Sequence, residues 1–182
     1  MYTYDVLPID TPLIFADGTA AYSKLAKTHE THKHGYFILA PSASGKTHFV
    51  TQQKTRHWID GDELWLAALA QPAGAWWLEP IERAEQIEAR CDVITLEAKR
   101  LGFWIVGGSN TWLKPDAIVI PNWQTQKHHL QQRTQGDNDG GFTNSQLERA
   151  LIQRKWFNRW AKQGVPKFLS ITEAADYLTS SR

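Results

Sequence analysis

The chain has 182 residues, a formal net charge of +1 and one cysteine, Cys91. A single cysteine excludes an internal disulfide, and the balanced charge points to neither a strongly acidic nor a strongly basic partner. The length is sufficient for one domain with its own core. Because the sequence has no signal peptide and no long apolar run, we expect a single intracellular domain over residues 1–182 that does not enter a membrane.

Residues 1–34 precede the first predicted core strand and contain Pro8, Pro12 and Gly18. Proline and glycine interrupt regular elements, so we expect an N-terminal arm or a small hairpin here. The segment 28–34 reads THETHKH. Metal binding is one interpretation of such a segment, but histidines on a polar linker are more often solvated, and we expect solvated histidines.

From Gly35 onward, short apolar runs alternate with helical patterns. The predicted strands are Tyr36–Leu39, His57–Asp60, Phe103–Val106, Ala117–Ile120 and Phe168–Ile171. The predicted helices cover residues 45–54, 62–70, 80–101, 122–134, 143–163 and 172–179. This alternation predicts an α/β fold with a five-stranded parallel sheet and helices on both of its faces.

Residues 40–47 read APSASGKT between a predicted strand and a predicted helix. This is the phosphate-binding pattern GxxxxGK[ST], except that Ala40 stands where the first glycine belongs. In such a loop, main-chain N–H groups surround phosphate oxygens, Lys46 reaches the β- and γ-phosphates, and the Thr47 hydroxyl binds Mg²⁺. We therefore expect ATP and Mg²⁺ as cofactors, and the alternative is a serine-rich turn. The expected nucleotide contacts are Ser42, Ala43, Ser44, Gly45, Lys46, Thr47 and His48.

Asp60 and Asp62 flank Gly61 at the end of the second predicted strand. The carboxyl ends of parallel strands meet at one edge of a sheet, so these carboxylates are expected in the same crevice as the phosphate loop. One carboxylate would hold the water shell of Mg²⁺, and the other would orient an acceptor hydroxyl and accept its proton. The alternative is that both acids only begin a helix, where negative charge is favourable.

Two glycines and two tryptophans are candidate contacts for the acceptor. Gly107 and Gly108 follow the third predicted strand, where glycine allows main chain to approach a ligand; the alternative is a plain turn. Trp76 and Trp77 are expected to stack on a planar base of the acceptor, at about 1–3 kcal/mol per base. The alternative is that the two indoles close a hydrophobic corner.

Residues 121–143 are expected to form a helical lid. Phosphoryl transfer needs a cation beside the charge that develops on the transferring group, and Arg133 is the candidate. The glycine-rich run 135–141 would be the hinge of this lid.

Residues 143–167 form a predicted helix of basic and aromatic residues. It begins with the capping sequence TNSQ. From Arg149 to Lys167 there are six basic side chains and no acidic one, with Trp156, Phe157 and Trp160 among them. This pattern suits a nucleic-acid backbone with nearby bases, so we expect DNA to contact residues 149–167. The alternative is an amphipathic helix whose aromatic side chains pack on the sheet.

Three of these motifs together resemble the small P-loop kinases, the shikimate, gluconate and adenylylsulfate kinase group of the nucleoside-monophosphate-kinase-like fold. They are Ser44-Gly45-Lys46-Thr47, Asp60-Gly61-Asp62 and Gly107-Gly108. The resemblance implies a P-loop NTPase fold and ATP-dependent transfer of a phosphoryl group to an alcohol. It also implies that Asp60 lies near Mg²⁺, and that Asp62 contacts the acceptor as the catalytic base.

More narrowly, the phosphate loop, the Trp-Ile-Asp-Gly-Asp segment, the paired tryptophans and the basic helix resemble phage-encoded kinases that phosphorylate 5-hydroxymethyluracil in DNA. This resemblance implies a DNA hypermodification enzyme of the host cytoplasm. Two alternatives stay open: a kinase of a free nucleoside, nucleotide or other hydroxylated metabolite, and a regulatory nucleotide-binding module without catalysis.

Overall fold

A computed structural model of the chain describes residues 27–53, 57–68, 70–71, 76–78, 80–110, 112–133 and 143–180. Residues 1–26 of the predicted N-terminal arm lie outside the described residues, and so does the whole of the glycine-rich run 135–141. No helix in the described ranges combines the length and apolar character required to cross a membrane.

The described elements alternate between strands and helices, as the sequence predicts. The strands are β1 (Tyr36–Leu39), β2 (Trp58–Asp60), β3 (Trp104–Gly107), β4 (Ala117–Val119) and β5 (Lys167–Phe168). The helices are α1 (Lys46–Thr51), α2 (Gly61–Ala67), α3 (Ile81–Arg100), α4 (Trp123–Gln131), α5 (Asn144–Lys162) and α6 (Ile171–Ser180). A short 3₁₀-helix covers Trp76–Leu78.

The five strands form one sheet in the order β2-β3-β1-β4-β5. The β2–β3, β1–β4 and β4–β5 pairs are all parallel. β3 and β1 are neighbours in the order, and the Tyr36 amide donates to the Phe103 carbonyl oxygen just before β3. The predicted α/β class with a five-stranded parallel sheet is therefore confirmed.

Two compact units divide the chain, and β1 contributes to both. The first unit comprises the described residues of Met1–Phe37 and Gln53–Leu113. Its core includes Phe37, Ile59, Trp65 and Ile105, whose side chains are fully buried. The second unit comprises the described residues of Ile38–Gln52 and Lys114–Arg182.

The core of the second unit combines strand side chains with one face each of α5 and α6. Ile38 and Ile118 are fully buried in the strands, and Phe157 and Leu178 are buried from the helices. α5 begins with the predicted capping box, in which Thr143 Oγ1 accepts from the Gln146 amide and the Gln146 side chain accepts from the Thr143 amide. The buried residues of α6 are Ile171, Ala174, Ala175 and Leu178, a spacing that fits one helical face.

The element bounds differ from the predicted ones mainly at the last strand. The predicted strand Phe168–Ile171 is wrong at its end, because β5 stops at Phe168 and α6 begins at Ile171. Ser170 Oγ accepts from the Glu173 amide, and Glu173 Oε2 accepts from the amides of Leu169 and Ser170. These local hydrogen bonds satisfy the N–H groups at the helix start and end the strand three residues earlier than predicted.

Candidate functional site

The phosphate loop lies in the second unit, directly after β1. β2 and β3 lie on one side of β1 in the strand order, and β4 and β5 lie on the other. The order thus changes direction at β1, and ligands of open α/β sheets bind beyond the carboxyl ends of the strands at such a point. The fold therefore presents the loop 40–47 where a ligand is expected.

Ala40 does not adopt a positive φ angle, the backbone conformation that favours glycine. Its side chain is fully buried at the end of β1. The positive φ angles of the loop occur at Ala43, with φ of 59°, and at Gly45, with φ of 88°. An alanine in the left-handed region is strained by about 1–2 kcal/mol, whereas glycine is not. The backbone strain of this loop therefore lies at Ala43, three residues after Ala40, the alanine that replaces the first glycine of the motif.

The main-chain N–H groups of the loop are only partly used. The Ser42 amide donates to Gln153 Oε1 over 3.1 Å, and the Ser44 amide donates to the Pro41 carbonyl oxygen over 3.3 Å. The amides of Ala43, Gly45 and Lys46 make no hydrogen bond to the described part of the chain. Since N–H groups strongly prefer a partner, these three amides are available to bind an anion.

The Lys46 ammonium folds back over the loop. Its Nζ donates to the Pro41 carbonyl oxygen over 3.2 Å, and this is its polar contact within the described residues. Thr47 and His48 follow in α1 with exposed side chains. The predicted contacts Ser42 to His48 thus form one continuous segment. A lysine held only by a carbonyl can exchange that contact for a phosphate oxygen, which is a stronger, charge-assisted acceptor.

Two helices hold the loop through a chain of hydrogen bonds that the sequence did not predict. Gln126 of α4 is fully buried, and its Nε2 donates to the Ser42 carbonyl oxygen over 2.9 Å. Arg154 of α5 donates to Gln126 Oε1 over 2.6 Å and to the Pro121 carbonyl oxygen over 2.7 Å. Burial lowers the pKa of Arg154. Glutamine is common on exposed helix faces, so no sequence signal distinguished Gln126.

Arg133 and His129 place further nitrogen donors at the same loop. Arg133 Nη2 donates to Ser42 Oγ over 3.2 Å, and His129 Nδ1 lies 3.2 Å from the Ala43 carbonyl oxygen. Arg133 follows the end of α4, so the described part of the predicted lid already contacts the loop. Arg133 therefore lies beside the phosphate loop, while its predicted role in transfer stays a prediction.

Asp60 and Asp62 lie in the first unit, at the junction of β2 and α2. Asp60 is buried and is the N-cap of α2, because its Oδ1 accepts from the Asp62 amide over 3.1 Å. Asp60 therefore does begin a helix, and its predicted role near Mg²⁺ stays a prediction. The Asp62 side chain is exposed, and Gln71 Nε2 lies 3.5 Å from its Oδ1. Asp62 is accordingly accessible to a substrate.

The first unit also contains a buried polar cluster formed by Asp92, Thr95, Asn110 and the Trp65 indole. Asn110 Nδ2 donates to Asp92 Oδ1 over 2.9 Å and to Thr95 Oγ1 over 3.2 Å. The Trp65 indole donates to Thr95 Oγ1 over 2.9 Å. Burial, with Asp92 as the next cause, raises the pKa of the Cys91 thiol well above its usual value, which favours the protonated thiol.

Gly107 and Gly61 are required by the packing of Trp65. A Cβ at Gly107 would lie 2.6 Å from Trp65 Cη2, and one at Gly61 would lie 2.7 Å from the same atom. Neither glycine has a positive φ angle. The packing of Trp65 therefore explains why positions 61 and 107 are glycine, which the sequence did not indicate. An acceptor contact by Gly107 and Gly108 stays a prediction.

The two predicted acceptor tryptophans differ in accessibility. Trp76 is only 5% exposed, whereas Trp77 is partly exposed, and their ring centroids lie 6.0 Å apart in an edge-on arrangement. The hydrophobic-corner alternative therefore describes Trp76, since a covered ring offers no face to a base. Trp77 keeps surface for stacking.

The basic helix α5 is divided between a packed face and an exposed face. Phe157 and Trp160 are buried, and Arg154 binds Gln126, so these three side chains do not face a nucleic acid. The exposed face keeps Trp156, which is 41% exposed and stacks with the guanidinium of Arg159 at 4.9 Å. Lys155, Asn158, Ala161 and Lys162 line an open depression on it. The amphipathic alternative therefore accounts for one face of the helix.

No family model, curated protein or solved structure matches this chain. The site residues are interpreted from their own contacts and chemistry, and the resemblance to small P-loop kinases stays a prediction.

The strain at Ala43 predicts opposite effects for two alanine-to-glycine substitutions in one loop. Ala43→Gly is expected to raise the free energy of unfolding by up to about 1 kcal/mol, because glycine relieves the left-handed strain. Ala40→Gly is expected to lower it by about 1 kcal/mol, because a buried methyl group is lost and the unfolded chain gains freedom. Urea unfolding of both variants checks this, and equal changes in both would contradict the assignment of strain to Ala43.

Proposed function

We propose that this chain is an ATP-dependent phosphotransferase that phosphorylates a hydroxyl group on a nucleobase-containing acceptor, with the hydroxymethyl group of 5-hydroxymethyluracil in DNA as the preferred acceptor. The observation that carries the proposal is the loop 40–47. It combines a strained backbone, three available amides at Ala43, Gly45 and Lys46, and the cationic side chains of Lys46 and Arg133, which contact oxygen atoms of the loop.

The loop would bind the phosphates of ATP through its amides and the Lys46 ammonium. On binding, Lys46 Nζ would exchange the Pro41 carbonyl oxygen for a phosphate oxygen, while Gln126 and Gln153 keep the loop main chain in place. Arg133, already at Ser42 Oγ, would stabilise the charge that develops on the transferring phosphoryl group. Under this proposal the loop needs little rearrangement to receive an anion.

For Mg²⁺, the candidate ligands are the Thr47 hydroxyl and the Asp60 carboxylate. Each offers the hard oxygen donor that Mg²⁺ prefers. When bound, the ion would neutralise charge on the phosphates of the nucleotide.

The transfer itself would use Asp62 as the base. The acceptor hydroxyl oxygen attacks the γ-phosphorus, the bond from that phosphorus to the β–γ bridging oxygen breaks, and ADP leaves with that oxygen. The proton of the hydroxyl passes to the exposed Asp62 carboxylate. A phosphoester bond on the acceptor thus replaces the phosphoanhydride bond of ATP.

DNA would contact the exposed face of α5. Trp156, Arg159, Lys155 and Lys162 join aromatic and cationic groups there, as strand-binding surfaces do. A base in a duplex would leave the stack to reach an enzyme site, and Trp77 offers a partly exposed ring against which it would pack.

A kinase of free nucleotides is the second candidate, and the packing of α5 favours it. Arg154, Phe157 and Trp160 turn inward, so the surface left for DNA is smaller than the sequence suggested. Such a kinase would use the same loop and base without α5.

Lys46→Ala is expected to weaken Mg·ATP binding about 10- to 100-fold, since a charged hydrogen bond contributes roughly 1.5–3 kcal/mol. Isothermal titration calorimetry with Mg·ATP measures this. The control is Lys114→Ala, which removes an exposed lysine of the same unit outside the loop. Equal affinities for wild type and Lys46→Ala would remove the loop as a nucleotide site.

Asp62→Asn is expected to lower the transfer rate about 10²- to 10⁴-fold while ATP affinity is kept, because general base catalysis is lost. γ-labelled ATP is incubated with duplex DNA that contains 5-hydroxymethyluracil, and separately with the free hydroxymethylated nucleotide. Glu63→Gln, the next exposed acid of α2, is the control.

Label that enters only the free nucleotide would replace the DNA proposal by the second candidate. ATP binding without label in either acceptor would indicate a regulatory nucleotide-binding module. Full activity of Asp62→Asn would remove Asp62 as the base.

The exposed face of α5 predicts a salt-dependent contact with DNA. Replacing both Lys155 and Lys162 by alanine is expected to reduce the slope of log K against log salt concentration by about 2, because each phosphate contact contributes about 1. Fluorescence anisotropy at several salt concentrations measures the slope. Lys114→Ala should leave it unchanged, and an unchanged slope in the double variant would exclude this face as the DNA contact.

A further inference from the structure

A cluster of metal-ligating side chains lies in the first unit and includes no residue of the phosphate loop or of the Asp60–Asp62 pair. Glu30, His32 and His57 each offer one donor atom, and these atoms all lie within 4.8 Å of one another. Glu30 Oε2 and His57 Nδ1 are already 3.1 Å apart. The first two residues belong to the histidine-rich segment before β1, and the third immediately precedes β2.

Two of the three histidines of this segment are not the solvated side chains expected from the sequence. His29 is buried, and the His32 ring stacks on Trp104 with centroids 3.6 Å apart and planes 14° apart. The contact of His32 with Trp104 is long-range, so the local sequence does not encode it. The expectation of solvated histidines is therefore wrong for His29 and His32, whereas His34 is exposed.

Main-chain hydrogen bonds hold His32 in this position. The His32 amide donates to the Gly102 carbonyl oxygen over 2.9 Å, and the Trp104 indole donates to the His34 carbonyl oxygen over 2.9 Å. Trp104 thus fixes the segment at two points, by stacking on one residue and by a hydrogen bond to another. A ligand ring held in place loses little freedom when an ion binds, as in metal sites where outer groups orient the ligands.

We propose that Glu30, His32 and His57 bind a divalent transition-metal ion, with Zn²⁺ as the best match. Two imidazole nitrogens and one carboxylate oxygen are a common donor set for Zn²⁺, with water as the fourth ligand. The ion joins the histidine-rich segment to the start of β2 and stabilises the first unit.

The geometry needs only a small adjustment. With bonds of about 2.0–2.1 Å, donor atoms in a tetrahedral site are roughly 3.3 Å apart. The Glu30–His57 separation of 3.1 Å already matches, and the other two donor separations, each within 4.8 Å, need to shorten by at most about 1.5 Å. The ion would lie between Glu30 Oε2 and His57 Nδ1, so metal binding competes with the direct contact of these two atoms.

This site does not depend on the proposed kinase activity, because none of its residues belongs to the phosphate loop or to the Asp60–Asp62 pair. The competing explanation is that the Glu30–His57 ion pair and the His32–Trp104 stack are complete without an ion. The two explanations differ in their response to added metal.

The test uses the full chain, stripped with a chelator and titrated with zinc sulfate in a calorimeter. We expect one Zn²⁺ per chain and a higher Tm in the presence of the ion. His32→Gln and His57→Gln are each expected to weaken Zn²⁺ binding at least about 10-fold. His34→Gln is the matched control, because it removes an exposed histidine of the same segment outside the cluster.

Glu30→Gln keeps the proposal testable if a histidine variant fails to fold, because this exposed carboxylate is dispensable for packing. Co²⁺ replaces Zn²⁺ as a spectroscopic probe, and we expect the visible absorption of a tetrahedral site in wild type and a weaker, shifted band in Glu30→Gln. Absence of one-to-one binding would overturn the proposal. So would equal losses in His34→Gln and His32→Gln, which would indicate adventitious binding by a histidine-rich segment.

Discussion

The phosphate loop depends on the hydrogen bond from the buried Gln126 amide to the Ser42 carbonyl oxygen. Gln126 is fully buried, so both ends of its side-chain amide must be paired, and Arg154 saturates the oxygen end. Loss of one partner would leave a buried polar group unsatisfied, which costs about 1–3 kcal/mol. Two helices and the loop are therefore held as one hydrogen-bonded group, and the left-handed backbone at Ala43 is retained within it.

This arrangement means that the loop is ordered before any ligand arrives. A flexible loop loses conformational freedom when it binds, and that loss subtracts from affinity. Here the folding of the second unit already fixes the main chain through Gln126 and Gln153, while the amides that would meet an anion remain available. The residues that hold the loop main chain in place, Gln126 and Gln153, are different from the residues whose amides are available. A substitution in one set can therefore leave the other set unchanged.

The parallel sheet and the phosphate loop were predictable because they depend on local patterns: apolar runs, glycines and a lysine at fixed spacing. The contacts of Gln126, Asp92 and His32 were not, since each joins residues 15 or more positions apart and uses side chains that are ordinary on any surface. Asp60 shows a further limit. Its sequence position suited both a helix cap and a metal ligand, and the cap it makes does not exclude the other role.

Trp65 occupies the space that side chains at Gly61 and Gly107 would need, and its indole is tied to Thr95. The consequence reaches beyond this single chain. In homologues that share this packing, positions 61, 65 and 107 should co-vary: a residue larger than glycine at either end requires a smaller ring at the centre. A glycine retained at position 107 would then indicate a large aromatic side chain at position 65, whatever ligand that homologue binds.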